Sequence, residues 1–235
     1  MPKSMRKPGP GRLPKSRPGS LPGSMPGSMP GSMIVLGLTG SIGMGKSTTA
    51  AMFRDLGIPV YDSDAVVHEL YRAGAVPIVE TLFPGTTKDG VVDRAALSSR
   101  VFSNKSELKK LEMAIHPLVQ QQRAGFLEDA RRQGADMVVL DIPLLFETGG
   151  QTQLDGVIVV TASSAEQSRR VLARPGMTRG IFAAILARQI PDAQKRREAD
   201  FLIDTTAGIE AARQQVVQII ASVRSRLWQP KNPEH

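Results

Sequence analysis

Gly40-Ser41-Ile42-Gly43-Met44-Gly45-Lys46-Ser47 is a complete Gly-x-x-x-x-Gly-Lys-Ser segment, and its residue types suit one task, holding a polyphosphate. Glycines at 40, 43 and 45 let backbone N–H groups close around an anion without Cβ clashes. Lys46 is placed to reach the β and γ phosphates, and the Ser47 hydroxyl to hold Mg²⁺. Gly43, Met44, Gly45, Lys46, Ser47 and Thr48 are therefore the expected contacts for a nucleoside triphosphate. Two acidic features could act on it. In Asp62-Ser63-Asp64, one carboxylate could accept a proton from an attacking hydroxyl while the other holds the metal through water. Asp141 closes the apolar run Met137-Val138-Val139-Leu140 and is a further candidate for Mg²⁺. The plainer role for Ser63 or one Asp is to cap a helix that starts near Ala65.

These groups work only if the chain brings them to one edge. Ile34 to Leu38 reads as a short buried strand, and Ser47 to Leu56 as a helix with Ala50, Phe53 and Leu56 on one face. Ile58 to Tyr61, Met137 to Leu140, Val157 to Thr161 and Phe201 to Ile203 read as further strands. Each is apolar throughout and separated from the next by helical sequence. That pattern predicts an α/β fold with a parallel sheet of about five strands covered on both faces. In open parallel sheets ligands gather beyond the carboxyl ends of the strands, where the glycine loop and the acidic pair both fall.

Between the second and third strands, residues 63–135 carry no strong strand signal. Leu108, Leu111, Ile115, Leu118 and Phe126 follow helical spacing instead and predict a helical substrate-binding insertion over 65–132. His116-Pro117 predicts that one helix stops near Ile115 and another starts at Pro117, because proline lacks the N–H and restricts its predecessor. Ile209, Ala212, Val216, Ile219, Val223 and Leu227 predict the core-facing stripe of a C-terminal helix.

The formal charge of +8 over 235 residues is unevenly placed. Six positive charges and no acid lie in residues 1–32, a Pro/Gly/Ser-rich stretch with a tetrapeptide repeat, expected to be disordered. The folded remainder carries only +2, which gives little support to a nucleic-acid partner. Cysteine is absent, which excludes disulfides, thiolate metal sites and cysteine nucleophiles. No apolar run approaches the roughly 18–20 residues needed to span a bilayer. A cytoplasmic protein, monomeric or weakly oligomeric, without membrane or specific nucleic-acid partners, is expected.

From Gln167 to Asp200 eight Arg and Lys residues stand against three acids. Arg170 and Arg174, four apart, should share a helix face. Pro175-Gly176-Met177-Thr178 should break that helix and let Thr178 cap another, the pattern of a lid that brings cations to developing negative charge.

Taken in order, the motifs resemble the dephospho-CoA kinase family. The resemblance covers about Met33 to Ile220. It rests on Leu38 to Thr48, Val60-Tyr61-Asp62-Ser63-Asp64, Leu111-Glu112-x-x-Ile115-His116-Pro117, Asp141-Ile142-Pro143-Leu144-Leu145-Phe146-Glu147, Gln167-x-x-Arg170-x-x-x-Arg174, and Gln189 to Asp200 with Lys195-Arg196 and Ala199-Asp200. It implies ATP-dependent phosphorylation of the ribose 3′-hydroxyl of dephospho-CoA on a P-loop kinase-type fold. Residues 33–64 and 133–228 would form the nucleotide-binding core, 65–132 the CoA-binding insertion and 174–190 the lid, with 229–235 a tail. Carried over by motif, Asp64 is the base and Asp62 orients it, the substrate or the metal. Lys46 is catalytic, His116 and Arg170 bind substrate, and Arg174 binds ATP. Ser63, Pro175 and Ile185 depart from the family pattern, so Arg179 and Arg188 stand as further candidates for the lid contact.

Three other readings compete. A nucleoside-monophosphate-type kinase would share the loop, the sheet and the lid. A GTPase would use Asn104-Lys105-Ser106-Glu107 to read guanine, although that segment ends in Glu and follows helical sequence. A nucleic-acid-binding ATPase would use the basic leader.

Overall fold

The computed structural model describes residues 33–101, 104–225 and 227–228. The leader expected at 1–32 and the tail expected at 229–235 lie outside the described residues. Along the chain run β1 (Ile34–Thr39), α1 (Lys46–Asp55), β2 (Val60–Asp62), α2 (Ser63–Leu70), α3 (Val76–Leu82), β3 (Thr87–Lys88), β4 (Val91–Val92), α4 (Arg94–Val101) and α5 (Lys105–Arg132). There follow β5 (Met137–Asp141), a 3-10 turn at Gly150–Gln153, β6 (Gly156–Thr161), α6 (Ser164–Leu172), α7 (Arg179–Leu186), α8 (Asp192–Glu198), β7 (Phe201–Asp204) and α9 (Ile209–Arg224).

Five strands pair in the order β2-β5-β1-β6-β7, and every pairing is parallel. β5 and β6 are buried along their whole length, as a two-sided sheet requires. Strand order reverses around β1, so its carboxyl end opens onto the crevice where such folds bind ligands. The register is direct: Asp62 pairs with Asp141, and Asp141 with Leu38. α1 and α9 cover one face, where Leu36, Leu38, Phe53, Ile158 and Ile203 are fully buried with Val216 and Ile219. The expected stripe on α9 holds at Ala212, Val216, Ile219 and Val223 and fails at both ends. Ile209 is 69% exposed, and Leu227 lies beyond the helix, 85% exposed.

Residues 65–132 are helical as expected and bury an apolar cluster of their own, including Leu70, Val79, Phe83, Leu97, Leu111 and Ile115. Three expectations there are corrected. β3 and β4 form a small antiparallel hairpin around Asp89 (φ 52°) and Gly90 (φ 75°), an Asp-Gly turn whose positive φ values suit a two-residue hairpin loop. The helix break at His116-Pro117 does not occur, and α5 runs through Pro117 as 28 residues. Tertiary packing holds it on both sides of the proline: Leu111 and Ile115 bury in the insertion cluster, while Ala130 buries beside Met33 and Val138 of the sheet. Met113, four residues before Pro117, is 68% exposed, so the carbonyl left without its N–H partner lies on a solvated stretch. Leu108, expected on the buried face, is 40% exposed.

Among the described residues no helix is long and apolar enough to cross a membrane. Asn104, weighed as a guanine reader, is the N-cap of α5 and accepts from the Ser106 and Glu107 amides at 3.0 and 3.2 Å. Its side chain is engaged in holding a helix start.

Phe53 ties α1, and with it the glycine loop, to the sheet. Phe53→Ala should destabilise the fold by about 3–5 kcal/mol through a cavity that rigid strands cannot close, read as a lower urea midpoint at unchanged slope.

Candidate active site

The glycine loop is shaped before any ligand arrives. Gly43 has φ 79°, and a Cβ there would lie 2.4 Å from Val171 Cγ2 and 3.2 Å from the Gln167 carbonyl oxygen. Gly45, at φ 95°, is the N-cap of α1 and offers no side-chain cap, and the first turn carries no acid. The first amides of α1 thus have no side-chain acceptor from the cap, beside the positive end of the helix dipole, which is the arrangement an anion fills.

Side chains from distant segments fix the loop backbone. Ile42 N–H donates to Gln189 Oε1 at 3.1 Å, and Gln167 Nε2 donates to the Ile42 carbonyl at 2.8 Å. Thr205 Oγ1 donates to the Met44 carbonyl at 2.9 Å. Arg170 in turn donates to Thr205 Oγ1 at 2.7 Å and to the Thr205 carbonyl at 2.9 Å, while Glu166 accepts from its Nε at 2.7 Å. None of Gln167, Gln189 and Thr205 was singled out for chemistry in the sequence. Gln167 and Gln189 open two of the segments that carry the family resemblance, without a role of their own there, and Thr205 lies just past the carboxyl end of an apolar strand.

The expected acids converge on the same edge. Lys46 Nζ makes an ion pair with Asp141 Oδ1, and both side chains are largely withdrawn from water. Burial pushes the Asp141 carboxyl above the usual carboxylate range; the Lys46 ammonium opposes this, and the negative fields of Asp62 and Asp64 add to it. Asp62 caps α2, accepting from the Ala65 amide at 3.0 Å, and lies 3.7 Å from Arg54. The capping alternative is therefore realised at Asp62. Asp64, in the first turn of α2, is exposed, as is Ser47. Among the described residues no group of three or more His, Asp or Glu side chains is spaced to hold a metal ion unaided. A divalent cation here would draw its remaining ligands from phosphate oxygens and water, the habit of Mg²⁺ at nucleotide sites.

Two cavities contain the remaining expected residues. One, of about 440 Å³, is lined by Gly43, Gly45 and Thr48 of the loop side, Arg170 and Arg174, and Ile209. The exposed Ile209 thus has an open cavity in front of it. Arg174 falls where expected, beside the loop, although α6 ends at Leu172 and the arginine sits in the following turn. Arg170, expected on the substrate side, lies instead with the loop and Thr205, because its guanidinium is engaged there. The other cavity, about 650 Å³, contains His116 with Tyr71, Leu108, Leu111, Met113 and Thr148. The structure therefore brings Lys46, Asp141, Asp62 and Asp64 together and leaves His116 in a separate, mostly apolar hollow.

Segment 174–190 holds α7, and Thr178 caps it by accepting from the Ile181 amide at 3.2 Å, as the sequence predicted. The basic run after it is not one solvated face. Lys195 is fully buried, with Nζ 2.7 Å from Glu147 Oε1. That same oxygen accepts from the Ile190 amide at 2.8 Å. Burial pushes the Glu147 carboxyl up, but Lys195 and the Ile190 amide together outweigh it and hold it below the usual range.

A parallel sheet with this loop, its lysine paired to a strand-ending aspartate, and a helical insertion beside a second cavity define a P-loop kinase. The sequence profile of the dephospho-CoA kinase family matches residues 34–211. The dephospho-CoA kinase of Mesorhizobium japonicum is 59% identical over 194 residues, covering 83% of this chain and 98% of the relative. That of Rhodopseudomonas palustris strain HaA2 is 54% identical over 188 residues, covering 80% and 94%. Among solved structures, TT1252 from Thermus thermophilus superposes with a TM-score of 0.72 at 37% identity, covering 81% of this chain and 97% of that one. Dephospho-CoA kinase from Campylobacter jejuni gives 0.58 at 25% identity, covering 80% and 96%. The chain belongs to the dephospho-CoA kinase family.

Because the folded Glu147 carboxyl titrates below its unfolded value, the stability it contributes is complete above the ordinary carboxylate range. It is lost as pH falls through the folded pKa. Replacing the pair with neutral residues, Glu147→Gln with Lys195→Met, should flatten this acid limb. Urea midpoints at pH 7 and pH 3 should differ less in the double variant than in the parent.

Proposed function

We propose that this chain transfers the γ-phosphoryl group of ATP to the ribose 3′-hydroxyl of dephospho-CoA, giving coenzyme A, the last step of its synthesis. The observation that carries the reading is the strand register, which sets Asp62-Ser63-Asp64 and Asp141 level with the end of the strand that leads into the glycine loop. A phosphate donor held by the loop and a hydroxyl acceptor beside the acidic pair would meet there.

In this reading residues 33–64 and 133–228 form the nucleotide-binding core, 65–132 binds the acceptor, and 174–190 is the lid. The amides of Gly43, Met44, Gly45, Lys46, Ser47 and Thr48 surround the ATP phosphates. Mg²⁺, if held by Ser47 and Asp141, would supply positive charge to the β and γ oxygens. Lys46 lies within reach of Asp141, and a γ-phosphate oxygen arriving at the loop competes for its ammonium. Arg170 and Arg174 contribute their charge on the donor side. His116 and the apolar hollow around it receive the acceptor.

Asp64 accepts the proton of the 3′-hydroxyl as its oxygen forms a bond to the γ-phosphorus. The bond from that phosphorus to the bridging oxygen breaks, and ADP leaves with the electron pair. Asp62, fixed by its cap bond to Ala65, orients the turn that carries Asp64. Since the donor and acceptor are both soluble metabolites, we place the enzyme in the cytoplasm, acting as a monomer or weak oligomer without membrane or nucleic-acid partners.

The test is coupled ATP consumption with dephospho-CoA, AMP, CMP and shikimate offered separately. Turnover should be confined to dephospho-CoA, and preference for another acceptor would overturn the assignment. Asp64→Asn should lower kcat by about 10²- to 10⁴-fold, the range for losing a general base, with ATP binding retained. Unchanged turnover would move the proton to Asp62 or leave Asp64 a positioning role only.

A further inference from the structure

Resting on that proposed function, we infer that one face of α2 measures the acceptor: Asp64 at the hydroxyl, His68 with Arg94 at the 5′-diphosphate, and Tyr71 at the start of the apolar arm. Asp64, His68 and the C-cap residue Tyr71 stand at i, i+4 and i+7, which places them on one helix face. Along the axis they are separated by about 6 Å and then about 4.5 Å. The acceptor presents its own groups in the same order, a hydroxyl on the ribose, two phosphates across the ring, then the pantetheine chain.

Arg94 reaches α2 from a different element. It is the first residue of α4, and its Nη1 lies 3.4 Å from His68 Nδ1. Asp93 fixes the start of that helix by accepting from the Ala95 and Ala96 amides, each at 3.0 Å. Its carboxylate is thereby committed to the backbone. Among the described residues Arg94 makes no ion pair with a carboxylate, unlike Lys46, Arg170, Lys195 and Arg224. A guanidinium beside an imidazole, with no counter-charge of its own, is a donor set for a phosphate group.

Tyr71 and Arg94 border a common open space. A cavity of about 520 Å³ is lined by Arg94, Ser98 and Tyr71. It shares Tyr71 and Leu111 with the larger hollow that holds Leu108, Met113 and His116. Tyr71 thus stands between the two, with Arg94 lining one and His116 the other. Burial raises the Tyr71 hydroxyl above its ordinary range, and the charge of Arg94 pulls it back, so the two groups are electrostatically in touch.

The experiment compares kcat/KM for dephospho-CoA with that for adenosine, which keeps the 3′-hydroxyl and lacks both phosphates. In Arg94→Ala the preference for dephospho-CoA should fall about 10- to 100-fold, the scale of a lost charge-assisted contact, chiefly through KM. Arg94→Lys should keep part of the preference, and His68→Asn should lose a smaller share of it. Equal losses on both acceptors, or no loss on either, would overturn the diphosphate assignment while leaving the kinase reading intact. A parent protein that turns over neither acceptor would instead overturn the proposed function, and this inference with it.

Discussion

Three neighbouring strands in parallel register, β2, β5 and β1, carry the arrangement on which everything else in the molecule depends. Their carboxyl ends come level, so Asp62, Asp141 and the lead into the glycine loop face one crevice without any long loop to position them. A slip of one residue between β5 and β1 would turn Asp141 away from Lys46, and one between β2 and β5 would turn Asp62 away from Asp141. Full burial of β5 is what forbids such a slip, because Val138, Val139 and Leu140 pack on both sides. The energetic weight of the site therefore lies in apolar packing some distance from the chemistry.

The insertion is built on a different plan. It has its own apolar cluster, and α5 passes from that cluster to the sheet as one rod. A rod that is anchored at both ends transmits displacement rather than absorbing it. Elsewhere, Glu147 ties the strand-following segment to Ile190 and to the buried Lys195. An ion pair so deep costs desolvation, and it gains its place by fixing one geometry among several that apolar residues would permit.

What could be read from the amino acids alone followed the range of the forces involved. The glycine loop, the acidic pair and Asp141 were legible because each is a short pattern whose geometry is set by neighbours in sequence. The five strands were legible for the same reason, to within two residues at their ends. Lys195 was not: a basic residue among arginines looks solvated unless one knows that Glu147, distant in sequence, is folded beneath it. The roles of Gln167 and Gln189 were opaque because a side-chain amide that grips a distant backbone has no local signature. Pro117 misled because its local penalty is real but is outweighed by packing on both flanks of α5. The Asp89-Gly90 hairpin, by contrast, has a local signal in its Asp-Gly turn, but its two-residue strands are too short to show alternation.

The backbone around Ile42 is gripped by two primary amides, Gln167 on its carbonyl and Gln189 on its N–H. Neither carries a charge at any ordinary pH, and dissolved ions hardly weaken a contact between neutral dipoles. Lys46, Arg170 and Arg174 attract by Coulomb forces that mobile ions attenuate over about 10 Å at 0.1 M. Added electrolyte therefore weakens the field around the loop more than it disturbs the loop's own backbone.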